Sequence, residues 1–188
     1  MLSLRAHDER VRQAAVETSR RLLTSPQGPG AELDTSKVKL AVPHLGYSVG
    51  LNEVREGELL SAVTLYAYRY LLIDDDRAVG SIDVVQVSDD RFDVVRLGSG
   101  PYDEAMLDGL RAAREADTES DQDYEPRFLI IPGMYFCAVW LHGATEDQIV
   151  PLLTELEGLE QRRTLPAAEA AQALTAAALL VPTFPSPQ

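Results

Sequence analysis

Residues 127–142 read RFLIIPGMYFCAVWLH, the longest apolar run in the chain, and they hold its only Trp and its only Cys. Branched and aromatic side chains suit a pleated strand better than a helix. From Tyr135 onward, alternate residues point to opposite faces. Tyr135, Cys137, Val139 and Leu141 take one face, and Phe136, Ala138, Trp140 and His142 the other. Both faces are apolar, which predicts a strand covered on both sides, inside a sheet. Pro132 removes a ladder donor and Gly133 permits unusual dihedrals, so the pair predicts a bend between two strands, 127–131 and 134–142. The run is too short and too broken to span a bilayer as a helix.

The rest of the chain reads as cover for this pair or as strands beside it. At 188 residues with 45% hydrophobic content, the chain is expected to form one globular domain over 1–182. Its net charge of −13 repels phosphate backbones and anionic lipid, which argues against nucleic-acid and membrane partners. A single cysteine cannot form an intramolecular disulfide, and Cys137 is expected to be a buried, inert thiol. The opening MLSLRAHDERVRQ has no apolar core of the signal-peptide kind, so a cytoplasmic protein is expected.

Taken in order, residues 4–23 predict an amphipathic helix with Leu4, Val11, Ala15, Thr18 and Leu22 on one side. Its arginines form the one locally basic segment, a solvated face or one that docks on an acidic body. Residues 24–36 read as a linker and 37–42 as a short strand. Residues 43–62 are broken by Gly46, Gly50 and Gly57 and show no period. Three strands then alternate with polar turns: Leu65–Ile73, Val79–Val87 and Phe92–Leu97, an antiparallel meander. Tyr66, Tyr68, Tyr70 and Leu72 are expected on one face of the first. Pro101 opens a helix whose core side is Tyr102, Met106, Leu110 and Ala113. Residues 116–126 form an acidic loop into the central pair. Thr145 to Gln148 fits a capping box, predicting a helix through Ile149, Leu152, Leu153, Leu156 and Leu159. A last, Ala-rich helix follows Pro166, and 183–188 form a frayed tail. The fold class is therefore α+β, with an antiparallel sheet of about five strands packed against helices.

Few residues offer chemistry. Gly46-Tyr47-Ser48-Val49-Gly50 matches G-x-S-x-G, and the string HLGYSVG resembles the nucleophile elbow of α/β-hydrolases. That resemblance implies Ser48 as nucleophile and leaves His142 as the downstream histidine. Against it stand too few strands before the motif, antiparallel rather than alternating βα order after it, and no oxyanion segment. Asp74, Asp75 and Asp76 lie on a hairpin tip and diverge, so a solvated turn is expected rather than a Ca²⁺ site. Gly98-Ser99-Gly100 lacks the Lys of a phosphate loop, and Asp103 and Glu104 would repel an anion. His7, His44 and His142 have no metal-ligand spacing. No metal or cofactor is expected. The tyrosines Tyr66, Tyr68 and Tyr70 are either core or, if exposed, a partner-binding face, since Tyr is enriched at interfaces.

From residue 65 the order is three strands, helix, two strands, helix, with a further helix at the front. That order, with the acidic charge, is similar to the α+β fold of small acidic secretion chaperones and their non-secretory relatives, over about residues 65–160. The resemblance implies a protein that dimerises and binds an extended segment of a client. The expected function is thus a non-catalytic protein-binding module, chaperone- or adaptor-like. A serine hydrolase using Ser48 and His142 is the alternative, followed by a small-ligand binder or immunity-type protein.

Overall fold

A computed structural model describes residues 9–23, 37–41, 43–89, 91–98, 100–118 and 122–182. Leu4, His7, the linker 24–36 and the tail 183–188 lie outside the described residues. The chain runs α1 (Glu9–Leu23), β1 (Lys39–Leu40), β2 (His44–Ser48), α2 (Leu51–Arg55), β3 (Thr64–Asp74), β4 (Arg77–Ser88), β5 (Arg91–Gly98) and α3 (Pro101–Thr118). It continues through β6 (Tyr124–Ile131), a single 3₁₀ turn (Pro132–Met134), β7 (Phe136–Gly143), β8 (Gln148–Pro151), β9 (Leu165–Pro166) and α4 (Ala167–Leu180). The class is α+β, with helices at both ends of the chain packed on a mostly antiparallel sheet.

The described sheet has nine strands rather than about five, in the order β5-β4-β3-β2-β6-β7-β8-β9, with β1 paired to β3. The meander and the central pair form where the apolar alternation places them. Two differences have local causes. The unperiodic stretch 43–62 holds β2, which slots between β3 and β6 and runs parallel to β6. A five-residue strand with a central Gly46 is too short to show a period of two. The capping box starts no helix. Ile149 and Val150 pair with Trp140 and Val139 as β8, and Pro151 in a helix there would remove a backbone hydrogen bond and clash with the preceding turn. Asp147, between the two capping-box residues Thr145 and Gln148, accepts bonds from the Gly143 N–H and the His142 ring.

Helix α3 covers one face of the sheet. The other face is shared: α1 buries Val11 and Ala15 over Tyr70, Leu72, Ile82 and Val84, and α2 with α4 covers Trp140, Leu129, Ile131 and Ile149. The basic segment thus docks on its own chain, with the Arg10 guanidinium 5.5 Å from the Phe92 ring. Arg55 at the end of α2 donates to the carbonyls of Ala178 and Val181 at 3.0 and 2.5 Å. It satisfies orphan acceptors at the last turn of α4 and ties the two helices together.

Met106 and Ala113 of α3 are buried as expected, whereas Tyr102 is partly exposed. The close approach of α3 to the sheet depends on Gly109. A Cβ there would lie 2.3 Å from Leu152 Cδ2 and 3.2 Å from Val139 Cγ2, both on fully buried residues. Gly109→Val should therefore destabilise the fold by about 1–3 kcal/mol through overpacking. A fall in the urea midpoint at unchanged m-value checks this.

Candidate functional site

Arg69 sits in the middle of an otherwise apolar strand, YAYRYLLI. It faces Asp83 directly across β3 and β4. Both are 2% exposed. Nε donates to Oδ1 and Nη2 to Oδ2, each at 2.7 Å. Two charges taken out of water are tolerated only with such fork-on-fork geometry. The guanidinium also stacks 4.1 Å above the Phe128 ring on β6. The strand between them, β2, makes room with Gly46, which pairs with Ala67 on one side and Phe128 on the other. A Cβ at Gly46 would lie 3.0 Å from the Tyr66 ring.

Two bulges bring further side chains to the same face. On β3, Gly46 pairs with Ala67 and Tyr47 with Leu65, so Tyr66 is an extra residue without a partner on β2. It turns toward the α3 face, where its hydroxyl is buried and makes no hydrogen bond among the described residues. Burial raises the pKa of this hydroxyl, against the opposing pull of Arg69, so it remains a donor. On β5, Val84 pairs with Val94 but Asp83 with Arg96, leaving Val95 extra. That shift sets Arg96 beside Asp83, with Nη1 4.0 Å from Oδ2. Bulges commonly re-aim a side chain in this way. From the first turn of α3 comes Asp103, 4% exposed. Burial raises its carboxyl above the ordinary value, opposed in part by Arg69 and Arg96.

Over this network lies an open cavity of about 260 Å³ between the start of α3 and the β6–β7 turn. Its walls are Arg69, Arg96, Tyr102, Phe128, Ile130, Ile131, Pro132, Tyr135, Phe136 and Cys137. Tyr135 stands at the mouth, 86% exposed, with its backbone in the left-handed region at φ 50°. A bulky side chain there is strained, and such strain gathers at functional sites. The Cys137 thiol is pushed up to about 11, chiefly by burial. It therefore stays protonated and is a poor nucleophile. The walls offer apolar surface and hydrogen-bond donors, which suits binding better than proton transfer.

The residues singled out in the sequence are placed differently. Tyr66, Tyr68 and Tyr70 do not form one row. The bulge sends Tyr66 to the α3 face, while Tyr68 packs edge-on to Phe92 and Tyr70 is core beneath α1. Burial pushes the Tyr70 hydroxyl up to about 12. Ser48 does lie between a strand and a helix, at the end of β2. His142 is not beside it. Ser48 pairs with Ile130, Ile130 with Cys137, and His142 is five residues further along β7, roughly 17 Å at strand rise. The His142 Nδ1 lies 2.9 Å from Asp147 Oδ1, across a local turn. On the same face as His142, Arg127 is held between Tyr47 and Trp140, at 5.2 and 4.6 Å, and pairs with Glu125 at 2.9 Å. Asp74–Asp76 form the β3–β4 turn. Among the described residues no group of three His, Cys, Asp or Glu is placed to hold a metal ion.

The site residues the sequence reading missed are Arg69, Asp83 and Arg96. The signal was available for the first two: a lone Arg and a lone Asp inside adjacent apolar strands. Nothing in the sequence marks the bulge that brings Arg96.

The raised carboxyl of Asp103 has a pH consequence. The native state holds this proton more tightly than the unfolded chain, so stability falls as pH rises from the ordinary value of 3.8 through the raised folded value. Asp103→Asn should lack that slope. Urea titrations at stepped pH compare the two proteins: relative to the variant, the wild type loses stability as pH climbs through this window and levels off above it.

Among the described residues no helix is long and apolar enough to cross a membrane. The chain matches no known family model, no curated protein and no solved structure.

Proposed function

We propose that this protein is a non-catalytic protein-binding module, chaperone- or adaptor-like, that recognises a partner segment at the cavity on the α3 face. The observation that supports this reading is Tyr135: an exposed aromatic held at a strained backbone position over apolar walls. Aromatic anchors at the edge of a water-excluding pocket are what binding hot spots are made of. The cavity is smaller than the roughly 300–1,000 Å³ of a drug-sized ligand site, so it fits one large side chain rather than a whole cofactor. Neither nucleic acid nor an anionic membrane is proposed as partner, given the charge of −13. A reducing, cytoplasmic setting is in keeping with the lone buried Cys137.

The test is a photo-crosslinking amino acid at position 135, with another at exposed Glu160 as control. Adducts should form from position 135 and vanish in Ile130→Asp, which charges the cavity wall. Equal adducts from both positions, or none from 135, would overturn the reading.

The reading includes a second copy as a partner. Leu179 and Leu180 on α4 are 66% and 84% exposed, an apolar end that a homodimer would cover. Light scattering at micromolar concentration should give twice the chain mass, and Leu180→Glu should halve it. A wild type that is monomeric throughout removes the dimer from the proposal.

A further inference from the structure

We infer that the cavity selects a segment of a partner protein in which an apolar side chain, best an aromatic one, is followed by a carboxylate; this rests on the protein-binding reading of the site. Among the described residues the walls carry two charged side chains, Arg69 and Arg96, and both are cations. The two carboxylates nearby, Asp83 and Asp103, are buried beneath the wall and do not line it. A ligand entering the mouth therefore meets guanidinium groups first, although the chain as a whole is acidic.

The two arginines differ in what they have left to give. Arg69 commits Nε and Nη2 to Asp83, and its Nη1 takes part in neither bond. Arg96 is half exposed, and among the described residues its ion pair is with Asp83 at 4.0 Å, so most of its fork remains available at the rim. A guanidinium fork matches a carboxylate in two parallel bonds. The Tyr66 hydroxyl, buried behind the wall and not part of it, is a donor without a partner among the described residues. The apolar floor of Phe128 and Ile130, with Tyr135 at the mouth, takes the side chain. Bulges on two different strands place Tyr66 and Arg96. The acidic body disfavours approach at long range, but that repulsion is screened beyond about 8 Å at physiological salt. The local arginines then decide.

Four labelled tetrapeptides, blocked at both ends, test this by amide chemical-shift mapping: phenylalanine followed by glutamate, by glutamine or by lysine, and alanine followed by glutamate. Phenylalanine–glutamate should shift the amides of Tyr102, Tyr135 and Cys137 and bind at least five-fold tighter than the other three. Arg96→Gln should remove the preference for glutamate over glutamine. If the glutamine or lysine peptide binds the cavity as tightly, the carboxylate inference falls and the protein-binding reading stands. If free 3-phenylpropanoate binds as tightly as the best peptide, the occupant is a small acid and the partner-segment assignment falls. If no peptide touches the cavity, both fall.

Discussion

The bidentate pair between Arg69 and Asp83 is the constraint on which the centre of this sheet depends. It is buried, so removing either partner would strand a charge at a cost of about 3–5 kcal/mol. Its geometry also dictates what lies around it. The guanidinium needs a flat apolar surface, and Phe128 supplies one from two strands away. For that reach, the intervening strand must carry almost no side chain, which is why β2 presents Gly46 there. Tyr66 then fills the remaining space over Gly46. One ion pair thus explains a glycine, an aromatic and a bulge on three strands.

Much of the architecture was legible in the sequence because it is written in local signals. The meander has polar turns at regular intervals, Pro101 opens α3, and the run 127–142 alternates on two apolar faces. What was not legible is non-local. β2 is defined by its neighbours: its backbone is ordered by β3 and β6, and HLGYS alone has no period. The segment after Thr145 carries apolar residues at spacings that serve a helix or a strand equally. The vacant edge of β7 and the space beneath α3 decide in favour of β8, burying Leu152 completely.

The candidate site divides the same way. A charged residue in the middle of an apolar strand is a readable anomaly, and Arg69 and Asp83 both qualify. Bulges are not readable, since they arise from the register between two strands. They account for the misplaced tyrosine row and for the unforeseen position of Arg96. The bulge at Val95 has a second effect: it distorts the outer strand β5, which also carries Arg91, Asp93 and Arg96. A twisted, charged edge is a poor template for a further strand. Recognition is thereby directed to the face of the sheet rather than to its rim.

The parallel pairing of β2 with β6 also bears on how the chain reaches this structure. Gly46 meets Phe128, so the contact closes a loop containing the whole meander and α3. The β3–β4–β5 meander and the β6–β7 hairpin are local and can form quickly, each stabilised by nearest neighbours in sequence. β2 can add to β3 across the short connection that holds α2, but its pairing with β6 waits until that large loop has closed, at an entropic cost that slows the step. Until then β2 and β6 each present an open edge. The interval before β2 and β6 pair is therefore the moment at which this chain is most exposed to aggregation, and its high net charge opposes that association through mutual repulsion.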